Sequence, residues 1–140
     1  YDLSGASIAQ KLTNISTRAL AGAGDATLIA GVVVGGSAPK RLLIRAAGPA
    51  LTQFGLTGVL AKPQLTVISE NKVVAQNTGW STSGDAVAIA EAAARVGGFP
   101  FASGSDDAAL LLNLSPGAYT AQVTGGASSG VVLVEVYELP

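Results

Sequence analysis

The chain has 140 residues, of which 49% are hydrophobic, 12% charged and 5% aromatic, whereas an average soluble domain is about 25% charged. This composition excludes intrinsic disorder, which requires low hydrophobicity and high charge. The net charge of −1 excludes a nucleic-acid binder built on a basic face. Because the chain contains neither Cys nor His, disulfides, thiol chemistry and imidazole acid–base catalysis are excluded as well. No apolar run reaches the roughly 18 residues of a membrane-spanning helix, so we expect no membrane insertion.

The first ten residues predict an extended N-terminal arm. Ser, Gly and Ala are common there, and Leu3 and Ile8 are the sizeable aliphatic side chains. Residues 11–140 are expected to form a single β-sandwich domain, since this length suits one domain of ordinary size.

Short β-branched runs between turn residues predict about eight strands and one α-helix. Turn signals recur roughly every 8–12 residues, which is typical of a sandwich or a barrel. We therefore predict a mainly β fold, a Greek-key or jelly-roll-like β-sandwich. The predicted strands cover residues 11–18, 27–34, 41–46, 65–69, 73–76, 108–114, 118–124 and 131–137.

Two of these strands carry distinctive patterns. Residues 27–34 are nearly all apolar, which predicts a strand buried on both faces. In residues 41–46 the alternation places Leu43 and Arg45 on one side of the strand. Residues 70–72 are predicted to form a hairpin turn between two strands.

Residues 84–96 predict the single helix. Ser81, Thr82 or Ser83 is a suitable N-cap, and Asp85 lies in the first turn, where the helix dipole favours an acid. The face expected to pack on a sheet consists of Val87, Ile89, Ala90, Ala93 and Val96.

The chain contains no Met, so Tyr1 is not an initiator residue. This predicts removal of a signal peptide, a pro-segment or a longer precursor. The alternative is that the chain is a piece of a longer protein. Because Met and Cys are the readily oxidised residues, their absence suits oxidising surroundings. We expect an extracellular or cell-surface location.

No motif in the chain predicts catalysis or a cofactor. Asp106 and Asp107 are adjacent, and adjacent residues of an extended chain point to opposite faces, so they are not expected to form a catalytic pair. The serines have neither a His nor a nucleophile elbow. The single indole, Trp80, is interpreted as a core residue rather than a sugar-stacking platform. We predict a protein that is not an enzyme and binds neither a metal nor a cofactor.

Charge is distributed unevenly along the chain. Six of the eight basic residues lie in residues 1–69, and seven of the nine acidic residues lie in residues 70–140. Either the two sets neutralise each other within the fold, or they meet across a head-to-tail interface between copies, where such pairs would set the register. The residues expected at that interface are Lys40, Arg41 and Arg45 on one copy and Asp106, Asp107 and Glu138 on its neighbour.

The Pro-Gly-x-Tyr sequence that ends at Tyr119 looks like the tyrosine corner of Greek-key sandwiches, in which the hydroxyl bonds back to the backbone and fixes a crossover. Further motifs are Leu42-Leu-Ile-Arg-Ala-Ala-Gly-Pro49, Pro63-Gln-Leu-Thr-Val67, Val73-Val-Ala-Gln-Asn77, Trp80, Asp107-Ala-Ala-Leu-Leu-Leu112 and Glu135-Val-Tyr137.

Together these motifs resemble β-sandwich modules that are repeated in large bacterial secreted and surface proteins. The second half is also similar to the C-terminal pre-peptidase sandwiches of exported hydrolases. The resemblance implies an extracellular, non-catalytic module. Where such modules often have acids between the Asn and the Trp, this chain has Thr78 and Gly79, which puts a cation site there in doubt.

Self-association is the function that the composition favours. A domain of this size exposes well over a third of the surface of its unfolded chain. With so few charged residues, much of that surface is apolar or hydroxyl-bearing and suited to burial against neighbours.

We expect a structural subunit that forms a filament or a surface layer. In it the arm would add a strand to another copy through Leu3 and Ile8. For the arm, the alternatives are a disordered leader and pairing within its own subunit. For the protein, the alternative is a module of a larger secreted protein that binds a carbohydrate or another substrate, such as a cell-surface or matrix polysaccharide.

Overall fold

The computed structural model describes residues 14–22, 27–82, 84–126 and 128–139. Eight strands, one α-helix and one 3₁₀ helix are found in these ranges. The strands are β1 (Asn14–Ala21), β2 (Leu28–Val34), β3 (Lys40–Ala47), β4 (Gln64–Ser69), β5 (Lys72–Asn77), β6 (Ala108–Leu114), β7 (Gly117–Thr124) and β8 (Gly130–Glu138), the α-helix is α1 (Ala86–Arg95), and the 3₁₀ helix is Pro49–Phe54.

The strands form two four-stranded antiparallel sheets, and this confirms the predicted β-sandwich. The strand order is β1-β8-β3-β6 in sheet I and β2-β7-β4-β5 in sheet II. Four antiparallel pairs, β1–β8, β2–β7, β3–β6 and β4–β5, together form one long antiparallel hairpin that folds back on itself between β4 and β5. The additional pairs β3–β8 and β4–β7 join the two sides of this hairpin into two sheets, which is the jelly-roll topology.

The main core lies between the two sheets. It is built from aliphatic side chains and contains Ile44 of β3, Val67 of β4, Val123 of β7 and Val134 of β8, all of them buried. The side chains alternate along each strand, so that every second residue enters this layer.

A second apolar cluster covers the outer face of sheet I. We call residues 49–56, 78–82 and 84–107 the cap layer. They contribute Leu51, Trp80, Ile89 and Phe101, which pack against outward-facing side chains of sheet I such as Leu43. Sheet I is therefore buried on both faces, whereas sheet II is buried on its inner face only.

One close approach allows the chain to turn from β3 into the cap layer. A Cβ atom at Gly48 would collide with the backbone carbonyl oxygen of Leu60. Only glycine fits there, and Pro49 then opens the 3₁₀ helix, which ends at Gly55 in the left-handed conformation.

The predicted hairpin between β4 and β5 is confirmed. Its two turn residues, Glu70 and Asn71, both have positive φ, at 52° and 64°. This is the conformation of the two-residue turns that suit the twist of paired strands.

Two predictions about burial are wrong. The apolar strand β2 is not buried on both faces: it is an edge strand of sheet II, and Ile29, Gly31 and Val33 are exposed while Val32 and Val34 are buried. The helix is rotated relative to its predicted face, so that Ala92 is buried and Val87 is exposed.

The helix also begins without the expected side-chain cap. Asp85 is the N-cap residue and makes no side-chain capping hydrogen bond. Ser83, one of the predicted caps, lies outside the described residues, as does the predicted arm, residues 1–10.

Candidate functional site: the open edge and face of sheet II

A buried ion pair joins the two central strands of sheet I. The register of β3 and β8 places Arg45 directly opposite Glu135. The Arg45 Nε and Nη2 atoms donate to Glu135 Oε1 at 2.9 and 2.6 Å, and Nη1 donates to the Phe99 carbonyl at 2.6 Å. The guanidinium carbon also lies 4.7 and 4.3 Å from the ring centroids of Phe99 and Phe101, within cation–π range. Arg45, which is 1% exposed, thus holds the cap layer to the sheet.

Tyr137 completes this cluster. Its hydroxyl donates to Glu135 Oε2 at 2.6 Å. Burial raises the pKa of Tyr137 from 10.0 to about 12, and the hydrogen bond to Glu135 and the charge of its carboxylate act in the same direction. The phenol therefore stays neutral over the ordinary pH range and serves as a hydrogen-bond donor.

Asp107 fixes the turn between β3 and the 3₁₀ helix. Its Oδ1 atom accepts hydrogen bonds from the backbone N–H groups of Gly48 and Ala50 at 2.8 and 3.0 Å, and Oδ2 accepts from the Ser105 hydroxyl at 2.7 Å. The side chain is fully buried. Its polar atoms are thus used within the fold.

These contacts remove the basis of the predicted head-to-tail charge interface. Arg45 and Asp107 are buried and bonded within their own chain, so neither reaches a neighbour. Lys40 lies 3.7 Å from Glu138 of the same chain. Charges from the two halves of the sequence meet because β3 lies between β8 and β6. The alternative, neutralisation within the fold, describes Arg45, which pairs with Glu135, and Lys40, which pairs with Glu138.

The structure does not test the other four predicted interface positions. Arg41 and Asp106 are exposed, and no contact in the structure tests their role. Leu3 and Ile8 lie outside the described residues.

The two residues predicted to be structural have structural contacts. The Tyr119 hydroxyl donates to the Ser115 carbonyl at 2.6 Å, where the chain crosses from sheet I to sheet II. Trp80 is buried in the cap layer, and its indole N–H donates to the Ala102 carbonyl at 2.9 Å.

The cap layer encloses two depressions. One, of about 200 Å³, lies between α1 and sheet I and is lined mainly by apolar side chains, among them Trp80 and Ile89. The other, of about 360 Å³, borders the 3₁₀ helix and is lined by Thr52, Gln53 and Ser105 among others. Among the described residues, no three acidic side chains converge on a common point, and every buried polar side-chain atom has a hydrogen-bond partner.

The four edge strands of the sandwich differ in how they are protected. A β edge presents unpaired N–H and C=O groups, and proteins protect such edges with charges, bulges or covering segments. Strand β5 carries Lys72 and a bulge at Val74, and strand β1 carries the exposed Arg18. At β6, the Asn77 side chain accepts from the Ala109 N–H at 3.0 Å, and the backbone N–H of Trp80 donates to the carbonyl of Asp107 at 2.7 Å.

Within the ranges that the structure describes, strand β2 has none of these protections. Its sequence, LIAGVVV, contains no charge and no proline. It pairs with β7 over all seven residues without a bulge. Ile29 and Val33 on its outward side are 59% and 80% exposed. Long, flat and apolar edges of this kind are the ones that pair with another chain.

The outer face of sheet II extends this open surface. The register of β2, β7, β4 and β5 places only uncharged side chains there. We call this set the sheet II face: Ile29, Gly31, Val33, Gln64, Thr66, Ile68, Val73, Gln76, Ala118, Thr120 and Gln122.

The sequence did not indicate this site, because the apolar run of β2 is as typical of a strand buried on both faces as of an exposed edge strand. A signal was present in the Gly at position 31, since a Gly in the middle of a strand often marks a site where another backbone or a ligand approaches closely. A Cβ atom added to Gly31 would meet nothing within 4 Å, so this position lies at an open surface.

The described part of the chain contains no helix that is long and apolar enough to cross a membrane. Comparison of the chain with protein-family models, with curated proteins and with solved structures finds no match.

Proposed function

We propose that this protein is a non-catalytic, extracellular structural subunit that associates with copies of itself into a filament or surface layer. The observation that carries the proposal is the unprotected edge of β2, seven residues without a charge, a proline or a bulge. Such an edge is an aggregation hazard in a lone domain, and an added strand turns it into a specific interface.

The use made of the buried polar residues supports a structural role. Arg45, Glu135, Tyr137 and Asp107 form hydrogen bonds with one another or with the backbone, and those bonds fix the cap layer to sheet I. An active site instead needs polar groups that are free to meet a substrate.

The sheet II face contributes contact area but is too small by itself. Four strands spaced about 4.8 Å apart, each about 20 Å long, present roughly 400 Å². A stable, specific interface needs about 800 Å² from each partner. The proposal therefore combines strand addition at the β2 edge with packing against this face.

The test is assembly of the Val33→Lys variant. A lysine on the outward side of β2 places a charge on the edge, which natural proteins use to block strand pairing. Val87→Lys is the matched control, because Val87 is 73% exposed but lies on α1, away from the β2 edge. In light scattering and negative-stain microscopy, Val33→Lys should remain monomeric while Val87→Lys and the unaltered chain assemble. A chain that stays monomeric at high concentration, or a Val33→Lys variant that assembles normally, would contradict the proposal.

A carbohydrate-binding module is the second candidate, and one observation favours it. Phe54, which is 58% exposed, stands at the end of the 3₁₀ helix, next to the depression lined by Thr52 and Gln53. An exposed ring beside polar side chains is the usual way to grip a sugar face. Polysaccharide binding that is lost in Phe54→Ala, by a chain that does not assemble, would favour this function over the structural one.

A further inference from the structure

As far as the described residues extend, the sandwich is open at the side where β1 and β2 form the two edges. Leu28 and Ala30 of β2 face the interior but are only half-buried. On β1, Ala19 is half-buried and Thr17 is exposed, although the register places Thr17 beside the core residue Val134. We call this opening the β1–β2 lip. A strand added along β2 would send every second side chain into it.

We propose that residues 1–10 of a second copy occupy the β2 edge as a ninth strand, with Ile8 entering the β1–β2 lip and Leu3 lying on the sheet II face. The inference rests on the proposed function and names the segment that performs it. Ten extended residues span about 33 Å, and the seven residues of β2 span about 23 Å, so the arm is long enough to cover the whole edge.

The spacing of the two apolar residues fixes which faces they take. Leu3 and Ile8 are five positions apart, so in a strand they lie on opposite sides. Residues 3–9 match the seven residues of β2, and Asp2 and Gln10 lie beyond that stretch. Within it the even side holds Ser4, Ala6 and Ile8, which suit the apolar lip because the small residues permit close approach. The odd side, with Leu3, Gly5 and Ser7, then lies beside Ile29 and Val33.

The sequence before β1 favours a second copy over the same chain. The arm joins the chain at the beginning of β1, in sheet I, whereas β2 belongs to sheet II. To pair with its own β2, the arm would have to reverse direction and change sheets within residues 11–13. Those residues are Lys, Leu and Thr, and they include none of the Gly, Pro, Asn or Asp residues that such turns use.

Disulfide trapping tests both the partner and the face. The chain has no cysteine of its own, so each introduced thiol is unambiguous. Gly31→Cys places a thiol on the outward side of β2, at a position where an added Cβ meets nothing within 4 Å. One preparation carries Gly31→Cys alone, and it is mixed with preparations that carry a single cysteine at Gly5, Ser7 or Ala9, or at the control positions Ser4 or Ala6.

Oxidation of the mixed assemblies should yield cross-linked dimers with the cysteine at the odd-numbered arm position that lies opposite residue 31. The even-numbered controls should give none, because their side chains point into the lip and a disulfide requires Cα atoms within about 7 Å and facing Cβ atoms. A second variant lacks residues 1–10 and is checked for folding by its circular dichroism. It should be a folded monomer.

The outcomes separate this inference from the proposed function. If the truncated chain still assembles and Val33→Lys still blocks assembly, the arm is not the donor, and strand addition at β2 stands with another partner. Equal cross-linking at odd and even positions, or the absence of any cross-link between the two preparations, would also overturn the inference. If the unaltered chain never assembles, the proposed function fails, and the inference fails with it.

Discussion

Replacing Glu135 with Gln tests whether the buried ion pair holds the cap layer. The substitution keeps the shape of the side chain and removes its charge. The Arg45 guanidinium, which is 1% exposed, then stays buried without a counter-ion. The hydroxyl of Tyr137 also loses the carboxylate to which it donates.

The expected loss is large for a change of one functional group. Breaking a buried ion pair by removing one partner costs about 3–5 kcal/mol, chiefly because the remaining charge is uncompensated. The whole free energy of unfolding of a domain is typically about 5–15 kcal/mol. Glu138→Gln is the matched control. Its carboxylate lies 3.7 Å from Lys40 in a pair that solvent reaches, and such pairs contribute about 0–1 kcal/mol.

Urea denaturation followed by the fluorescence of Trp80 is the assay. Trp80 is the single tryptophan, and its ring packs edge-on against Phe101, with 6.3 Å between the ring centroids, next to Arg45. Its emission therefore reports on the cap layer itself. A loss below about 1 kcal/mol in Glu135→Gln, no larger than that of the control, would refute the reasoning, since it would mean that the guanidinium charge does not need its partner.

Two further perturbations address the remaining buried groups. Asp107→Ala should cost about 1–3 kcal/mol for each of the two backbone N–H groups that lose their acceptor, whereas the exposed neighbour Asp106→Ala should change the urea midpoint little; equal effects would contradict the assigned role of Asp107. Because the pKa of Tyr137 is raised from 10.0 to about 12, its contribution to stability should be full below pH 10 and lost as the pH rises through 12, by at most about 2 kcal/mol after allowance for solvent screening. The difference in unfolding free energy between the unaltered chain and Tyr137→Phe, measured from pH 9 to pH 12, should shrink over that range, and a constant difference would show that the phenol does not titrate in this way.

The order of the strands and most of their bounds could be predicted from the sequence because turn residues mark them, but β1 extends to Ala21, three residues beyond its predicted end at position 18. The segment 35–39, with its glycines and proline, separates β2 from β3, and Ser115 and Pro116 separate β6 from β7. The sides of a strand followed from the sequence where polar and apolar residues alternate, as at Leu43 and Arg45, but not in the uniformly apolar β2. Which strand would lie at an edge could not be predicted, because an edge is a property of the pairing between distant segments.

The helix face was mispredicted for a related reason. The α1 sequence, AVAIAEAAAR, offers apolar residues on nearly every side, so its pattern defines no single stripe. The structure buries Ile89, Ala92 and Ala93, since the small alanine side chains let the helix lie close to sheet I, and it leaves Val87 in solvent.

The sequence contained an indication of the Arg45–Glu135 pair that the sequence analysis did not use. Each residue is a charge flanked by apolar residues within its strand, and the two charges are opposite. A buried charge requires a partner, so two such strands are candidates for neighbours. Taking the same basic residue as part of an interface with another copy overlooked the cost of exposing the apolar side chains on its own side of the strand, Leu43 and Ala47.

The two sheets differ in how much of their surface and edges is available to another chain. Sheet I has its outer face covered by the cap layer, and at its β6 edge Asn77 and Trp80 occupy backbone groups that another strand would need. Sheet II keeps an uncharged face and one unprotected edge, β2. Attraction between charges therefore has little part in assembly there, and selectivity must come from backbone pairing and from the fit of alternate side chains. A donor strand with one apolar residue on each side meets both requirements at once, which is why the five-residue spacing of Leu3 and Ile8 matters more than the hydrophobicity of the arm as a whole.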